Sequence, residues 1–167
     1  EIRYVADVNP DIPAKWAAGA GVKNVVSDSE IILQDPEVQA VLVCTPTNLH
    51  CETAIRVAKA GKDIFCEKPI DLTLEKIEEA LAEVKKAGVR MQVGFNRRFD
   101  HNYRRVHDAI QAGKIGKPLT IKLTVREYQA PPVSYLKESG GIFLDMAIHD
   151  FDIVRYMAGS EVESVYA

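Results

Sequence analysis

Along the first ninety positions, short apolar runs alternate with longer stretches of helical spacing, the pattern of strands and helices wound around a parallel sheet. The runs predict strands at Ile2 to Ala6, Val22 to Val26, Val38 to Cys44, Asp63 to Cys66 and Arg90 to Gly94. Val41-Leu42-Val43-Cys44 is apolar on both faces, as expected of a central parallel strand with helices above and below. The clearest helix is predicted from about Leu72 to Ala87. There Leu74, Ile77, Leu81 and Val84 recur at three and four residues, Asp71 or Thr73 stands as N-cap, and Gly88 follows the end.

After Gly94 the pattern changes. A polar segment from Asn96 to Asn102 precedes a predicted helix from about Tyr103 to Ala112 and a turn at Gly113 to Pro118. Leu119 to Arg126 alternates strictly, which predicts a strand buried on one face and therefore an open, mainly antiparallel sheet. Pro131-Pro132 predicts a loop, and Gly140-Gly141 leads into a helix from about Phe143 to Met157, stopped by Gly159. The expected fold class is α/β. An incomplete Rossmann-type parallel sheet occupies 1–94, and the start of an α/β domain with an open, mainly antiparallel sheet occupies 95–167.

Composition removes several functions. No apolar run in the 167 residues approaches the roughly 20 residues a membrane span needs, so no membrane partner is expected. The net charge of −3 comes without a Lys/Arg block, which argues against nucleic acid and leaves a small molecule as the partner. Cys44, Cys51 and Cys66 match no zinc spacing, and their odd number argues against a disulfide framework. With no apolar leader after Glu1-Ile2-Arg3-Tyr4, a reducing cytoplasm fits best.

Four places carry candidate chemistry. Asp7 ends the first strand, where an acidic side chain can accept hydrogen bonds from the ribose hydroxyls of a dinucleotide and repel a 2′-phosphate; equally, it can serve the Asn9-Pro10 turn. With no arginine beside it, the cofactor reading favours NAD over NADP. Thr45-Pro46-Thr47-Asn48-Leu49-His50 follows a buried strand at the carboxyl edge of the sheet, where ligands of open α/β sheets bind; Thr47 or Asn48 can also cap a helix there, and His50 has no companion residue at metal-ligand spacing. Glu67-Lys68-Pro69 stands at the same edge, and a lysine held between strand and proline can be aimed at a substrate hydroxyl. Asp145, His149 and Asp152 fall on one helical stripe, where a carboxylate can orient an imidazole and raise its proton affinity; the plainer reading is a first-turn aspartate and a surface histidine.

Taken in order, Thr45-Pro46 with His50, Glu67-Lys68-Pro69, Gly94-Phe95-Asn96-Arg97-Arg98-Phe99-Asp100, and Gly140-Gly141-Ile142-Phe143-Leu144-Asp145 with His149-Asp150-Phe151-Asp152 resemble the glucose-fructose oxidoreductase and inositol dehydrogenase (Gfo/Idh/MocA) family. The likeness runs the length of the chain, and Ala130-Pro131-Pro132 ahead of the double glycine brings it nearest the inositol 2-dehydrogenase branch. The resemblance implies an NAD-dependent dehydrogenase of a cyclitol or sugar, myo-inositol first. Lys68, Asp145 and His149 would be its catalytic residues and Asp152 a further substrate contact. Asp7, Thr45, Pro46, Asn48, His50, Glu67, Lys68 and Arg97 would face the cofactor.

The resemblance also implies a homo-oligomer, dimer or tetramer, and about thirty residues of strand, glycine-rich turn and helix ahead of the position of Asp7. No such segment stands before Asp7 here, so the expectation is an active enzyme at full length and an inactive 167-residue fragment. The competing reading is a catalytically silent relative acting as a binding or scaffold protein. Arg126-Glu127-Tyr128-Gln129 departs from the family pattern in a loop expected to face substrate.

Overall fold

The computed structural model describes the whole chain except Glu127 and the side chains of Ser134, Lys137 and Glu138. Five short strands, β1 (Tyr4–Ala6), β2 (Asn24–Val26), β3 (Ala40–Val43), β4 (Asp63–Cys66) and β5 (Met91–Val93), fall inside the five predicted runs. They form two parallel sheets, β1-β2 and β3-β4-β5. Helix α1 (Asp11–Gly19) packs on β1 and β2, and α2 (Glu30–Gln34) leads to β3. Helices α3 (His50–Lys59) and α4 (Leu74–Ala87) pack against each other.

The core lies where α3 and α4 meet the larger sheet. Val43, Ala54, Val57, Ala58, Ile64, Cys66 and Val84 are buried together, and Leu33, Val41, Val89 and Met91 pack against them. Alternation puts Val41 and Val43 on this face and turns Leu42 away, where it is 69% exposed. Covering of β3 on both faces is therefore not observed: the apolar run fixed both faces as buriable, while the described helices cover one.

Register brings the ends of the larger sheet level. Val43 pairs with Cys66 and Cys66 with Val93, and the ladder continues one residue further as Glu67 N–H donates to Val43 O (3.0 Å) and Gly94 N–H to Cys66 O (2.8 Å). Thr45, Lys68 and Gly94 thus leave the sheet along one edge. This is the carboxyl edge at which open α/β sheets bind ligands.

Beyond β5 a turn of 3₁₀ helix (Asn96–Phe99) enters α5 (His101–Gln111), capped by Asp100, whose carboxylate accepts from the N–H groups of Asn102 and Tyr103. A short helix α6 (Val133–Glu138) follows Pro132, then a π-helical turn (Phe143–Ala147) runs into α7 (Ile148–Ala158). The expected open, mainly antiparallel sheet is not found: both sheets are parallel, and 119–126 forms no strand. Leu119 is 93% exposed. Alternation specifies which side chains would turn inward; a ladder also needs a partner strand, and none of the described residues supplies it. The expected loop at Pro131-Pro132 holds only as far as the helix start, because proline is tolerated where a helix begins.

Candidate active site

Lys68 follows β4 directly, and its peptide bond to Pro69 is cis. Its ammonium donates to both the backbone oxygen (2.6 Å) and the Oδ1 (2.9 Å) of Asp145, which sits in the π-helical turn 77 residues away. Both side chains are largely shielded, 17% and 14% exposed, so the pair closes the two halves of the chain over one point. Asp145 Oδ1 accepts a second hydrogen bond, from the Tyr135 hydroxyl at 2.9 Å. Burial and this contact with an anion push the Tyr135 phenol above its ordinary range.

His149 lies beside this pair in the first turn of α7. Its ring meets Phe95 edge-on, with centroids 6.3 Å apart, and its Nδ1 is buried without a partner among the described residues. Burial, then the positive charges of Lys68 and Arg97, lower its proton affinity; Asp150 and Glu67 oppose them more weakly. The expected Asp145–His149 pair is absent from the described hydrogen bonds. The four-residue rule presumes α-helical turns, whereas Asp145 stands in a π-helical one and is engaged by Lys68 and Tyr135. The expected rise in the proton affinity of His149 is correspondingly a fall.

A cleft of about 430 Å³ opens at the carboxyl edge of β3 and β4, lined by Cys44, Thr45, Pro46, Thr47, Asn48, His50, Glu67, Lys68, Tyr135, Ser139 and Asp145. Of the residues expected to face a cofactor, Thr45, Pro46, Asn48, His50, Glu67 and Lys68 are here. The His50 ring is buried and reaches the backbone oxygens of Thr45 (2.6 Å, from Nε2) and Pro69 (2.7 Å, from Nδ1), so it joins the two loops that wall the cleft. Asp7 lies outside the cleft. One of its oxygens accepts from Asn9 N–H at 2.9 Å, the turn role; its other oxygen has no hydrogen bond among the described residues, which keeps the ribose role open.

Arg97 and Asp152 are also outside the cleft lining. Arg97 pairs with Asp150, and Arg98 grips the buried Asp152 through Nε (2.7 Å) and Nη2 (2.5 Å). Both pairs fasten the 3₁₀ turn after β5 to α7. Tyr135 and Ser139 are the site residues that sequence reasoning missed, since Pro131-Pro132 marks a loop and the six residues of α6 after it are too few to show helical spacing. The loop at 126–129 includes Glu127, which lies outside the described residues.

The parallel sheets, with a lysine and a carboxylate joined at the ligand edge, fit the class of Rossmann-type nucleotide-binding folds. Residues 1–95 match the model of the oxidoreductase family with an NAD-binding Rossmann fold, and 103–167 match that family's C-terminal domain. The chain belongs to the Gfo/Idh/MocA oxidoreductase family. It is 46% identical over 163 residues to myo-inositol 2-dehydrogenase of Thermotoga maritima, covering 98% of this chain and 49% of that protein. A crystal structure of a probable dehydrogenase from Thermotoga maritima superposes with a TM-score of 0.93 at 45% identity, covering 98% of this chain and 49% of the other. A scyllo-inositol dehydrogenase from Lactobacillus casei, solved with bound NAD(H) and scyllo-inositol, superposes at 0.76 with 29% identity, covering 95% and 48%. The chain thus spans about half the length of the relatives it matches. Among the described residues no helix is long and apolar enough to cross a membrane.

Proposed function

We propose that the protein oxidises a secondary alcohol of a cyclitol or sugar, myo-inositol first, with NAD as acceptor. The observation that carries this reading is the contact of Lys68 with Asp145, which sets a donor and an acceptor in the lining of a ligand-sized cleft, with His149 outside that lining but close enough for the Lys68 charge to lower its proton affinity. The inositol dehydrogenase names of its relatives support the substrate class. The cleft residues fit the nicotinamide end of the cofactor: Pro46 offers a flat apolar wall without an N–H, and Thr45 and Asn48 offer polar groups. Asp7 fits the adenosine ribose through its free oxygen. Held by these residues, NAD would supply the acceptor for the hydride of the carbinol carbon.

The chain's own groups handle the proton and the oxygen. Lys68 has two of its three protons on Asp145, which leaves one to hold the substrate oxygen and steady its developing negative charge. His149, kept neutral by burial and nearby cations, removes the hydroxyl proton. Asp145 aims Lys68 and offers Oδ2 to the substrate.

The division into a cofactor unit, 1–94, and a second unit, 95–167, is supported by family matches that end at 95 and resume at 103. Three unpaired cysteines support a reducing cytoplasm. Apolar side chains left open on the second unit, such as Ile142 and Phe143, support a homo-oligomer. The deciding experiment is a dehydrogenase assay of the intact protein across inositols, glucose and other aldoses with NAD and NADP. Reduction of neither cofactor by any polyol would end this reading.

A further inference from the structure

We propose that Tyr135 and Ser139 form a second hydroxyl-reading subsite, which binds the neighbour of the alcohol being oxidised and selects neutral vicinal diols. The inference rests on the dehydrogenase reading above. Both residues line the cleft that holds Lys68 and Asp145. Ser139 is 4% exposed, yet its Oγ has no partner among the described residues. A buried hydroxyl without a partner is rare in a folded chain and marks a group held for a ligand or a water.

The donor and acceptor count gives the chemistry. Asp145 Oδ1 is taken by Lys68 and Tyr135, each at 2.9 Å, so Oδ2 is the oxygen left for a ligand. Tyr135 has given its one proton to Asp145 and offers only lone pairs. Lys68 keeps one donor, and Ser139 can donate or accept. A pair of adjacent hydroxyls satisfies this set: one hydroxyl accepts from Lys68, and the other donates to Asp145 or Tyr135 while bonding Ser139. A carboxylate at the second position would face two acceptors with no proton to give them. The subsite thereby favours a polyol over a hydroxy acid.

The segment is tied to Lys68 through Asp145 Oδ1, which both Lys68 and Tyr135 contact. Gly140 follows Ser139 with φ +80°, and a Cβ there would stand 2.6 Å from Leu72 Cδ2, in the loop that leaves Lys68-Pro69. The Gly140 backbone therefore lies against the Leu72 side chain, which sets the end of α6 beside the lysine loop.

The test compares Tyr135→Phe and Ser139→Ala with the wild type in the intact protein, using myo-inositol and its deoxy analogues lacking one vicinal hydroxyl. Loss of one hydrogen bond predicts KM for the full polyol to rise roughly 3- to 10-fold in each variant. Expected with it are a smaller change in kcat, an unchanged NAD affinity, and no further penalty on one deoxy analogue. An equal loss of kcat on every substrate would make Tyr135 a prop for Asp145 alone and overturn the subsite, as would flat kinetics in both variants. A wild type inactive on all polyols would instead sink the dehydrogenase reading, and this one with it.

Discussion

At His149 partial burial, then the positive charges of Lys68 and Arg97, hold the proton affinity of the ring below the ordinary value near 6.5. The unfolded chain therefore takes up this proton at higher pH than the folded one, and the half-buried neutral ring lowers stability as pH falls below about 6.5. In the same way, kcat/KM for alcohol oxidation should hold its plateau through pH 6.5 and decline only at more acid values. His149→Ala should reduce the rate by roughly 10² to 10⁴ with NAD affinity unchanged. Near-wild-type turnover of that variant at neutral pH would remove His149 as the base. Asp7 has a separate test, because it lies outside the cleft and acts, in this reading, on the far ribose. Asp7→Ser combined with Val8→Arg should shift preference from NAD towards NADP, read as the ratio of kcat/KM values. A wild type that already prefers NADP would contradict the role given to Asp7.

The strands were legible because β-branched runs at the level of single elements encode them without reference to partners. Helix α4 was legible for the same reason, ending at Gly88 as its spacing predicts. What was not legible depends on distant partners or on unusual turns. Residues 119–126 carry the alternation of a strand without a ladder. Helix α6 hides behind Pro131-Pro132. The partners of Asp145 come from β4's end and from α6, where spacing along its own helix pointed to His149. Asp152 shared that helical stripe too, yet it is turned beneath Arg98, and the Arg98–Asp152 and Arg97–Asp150 pairs clamp the 3₁₀ turn 96–99 to α7. Asp152 is 5% exposed, and its removal leaves a guanidinium beside an emptied pocket. Asp152→Ala should destabilise the protein by about 2 to 3 kcal/mol, less than a fully buried pair because Arg98 keeps contact with water. A denaturant midpoint unchanged from wild type would show that the clamp holds nothing.

Across the whole molecule, burial is uneven. The larger sheet carries the core between α3 and α4, whereas the described residues before β3 contribute only Ala17 and Val22 as buried apolar side chains. Sheets β1-β2 and β3-β4-β5 share no ladder. What joins them includes a half-exposed strap: Arg3 Nε (2.7 Å) and the Tyr4 hydroxyl (2.8 Å) donate to Asp35, and Arg3 reaches Glu37 at 2.8 Å. Surface pairs of this kind contribute little. A two-stranded sheet with three residues per strand is marginal by itself. In the 167-residue polypeptide, the amides of β1 and β2 should therefore exchange at least about 30-fold faster than those of Val43, Ile64 and Cys66, a difference of ~2 kcal/mol in opening free energy. The strap adds a pH dependence of known sign. The Glu37 backbone N–H, then Arg3 and Tyr4, hold the Asp35 carboxyl at about 2, so its contribution is in place above the unfolded value near 3.8 and is lost as pH falls towards 2. Exchange in β1 should quicken over that window, beyond the intrinsic pH effect, and Asp35→Asn should abolish the change. Equal protection of both sheets at neutral pH would mean that they open as one unit, and would overturn this division of the molecule.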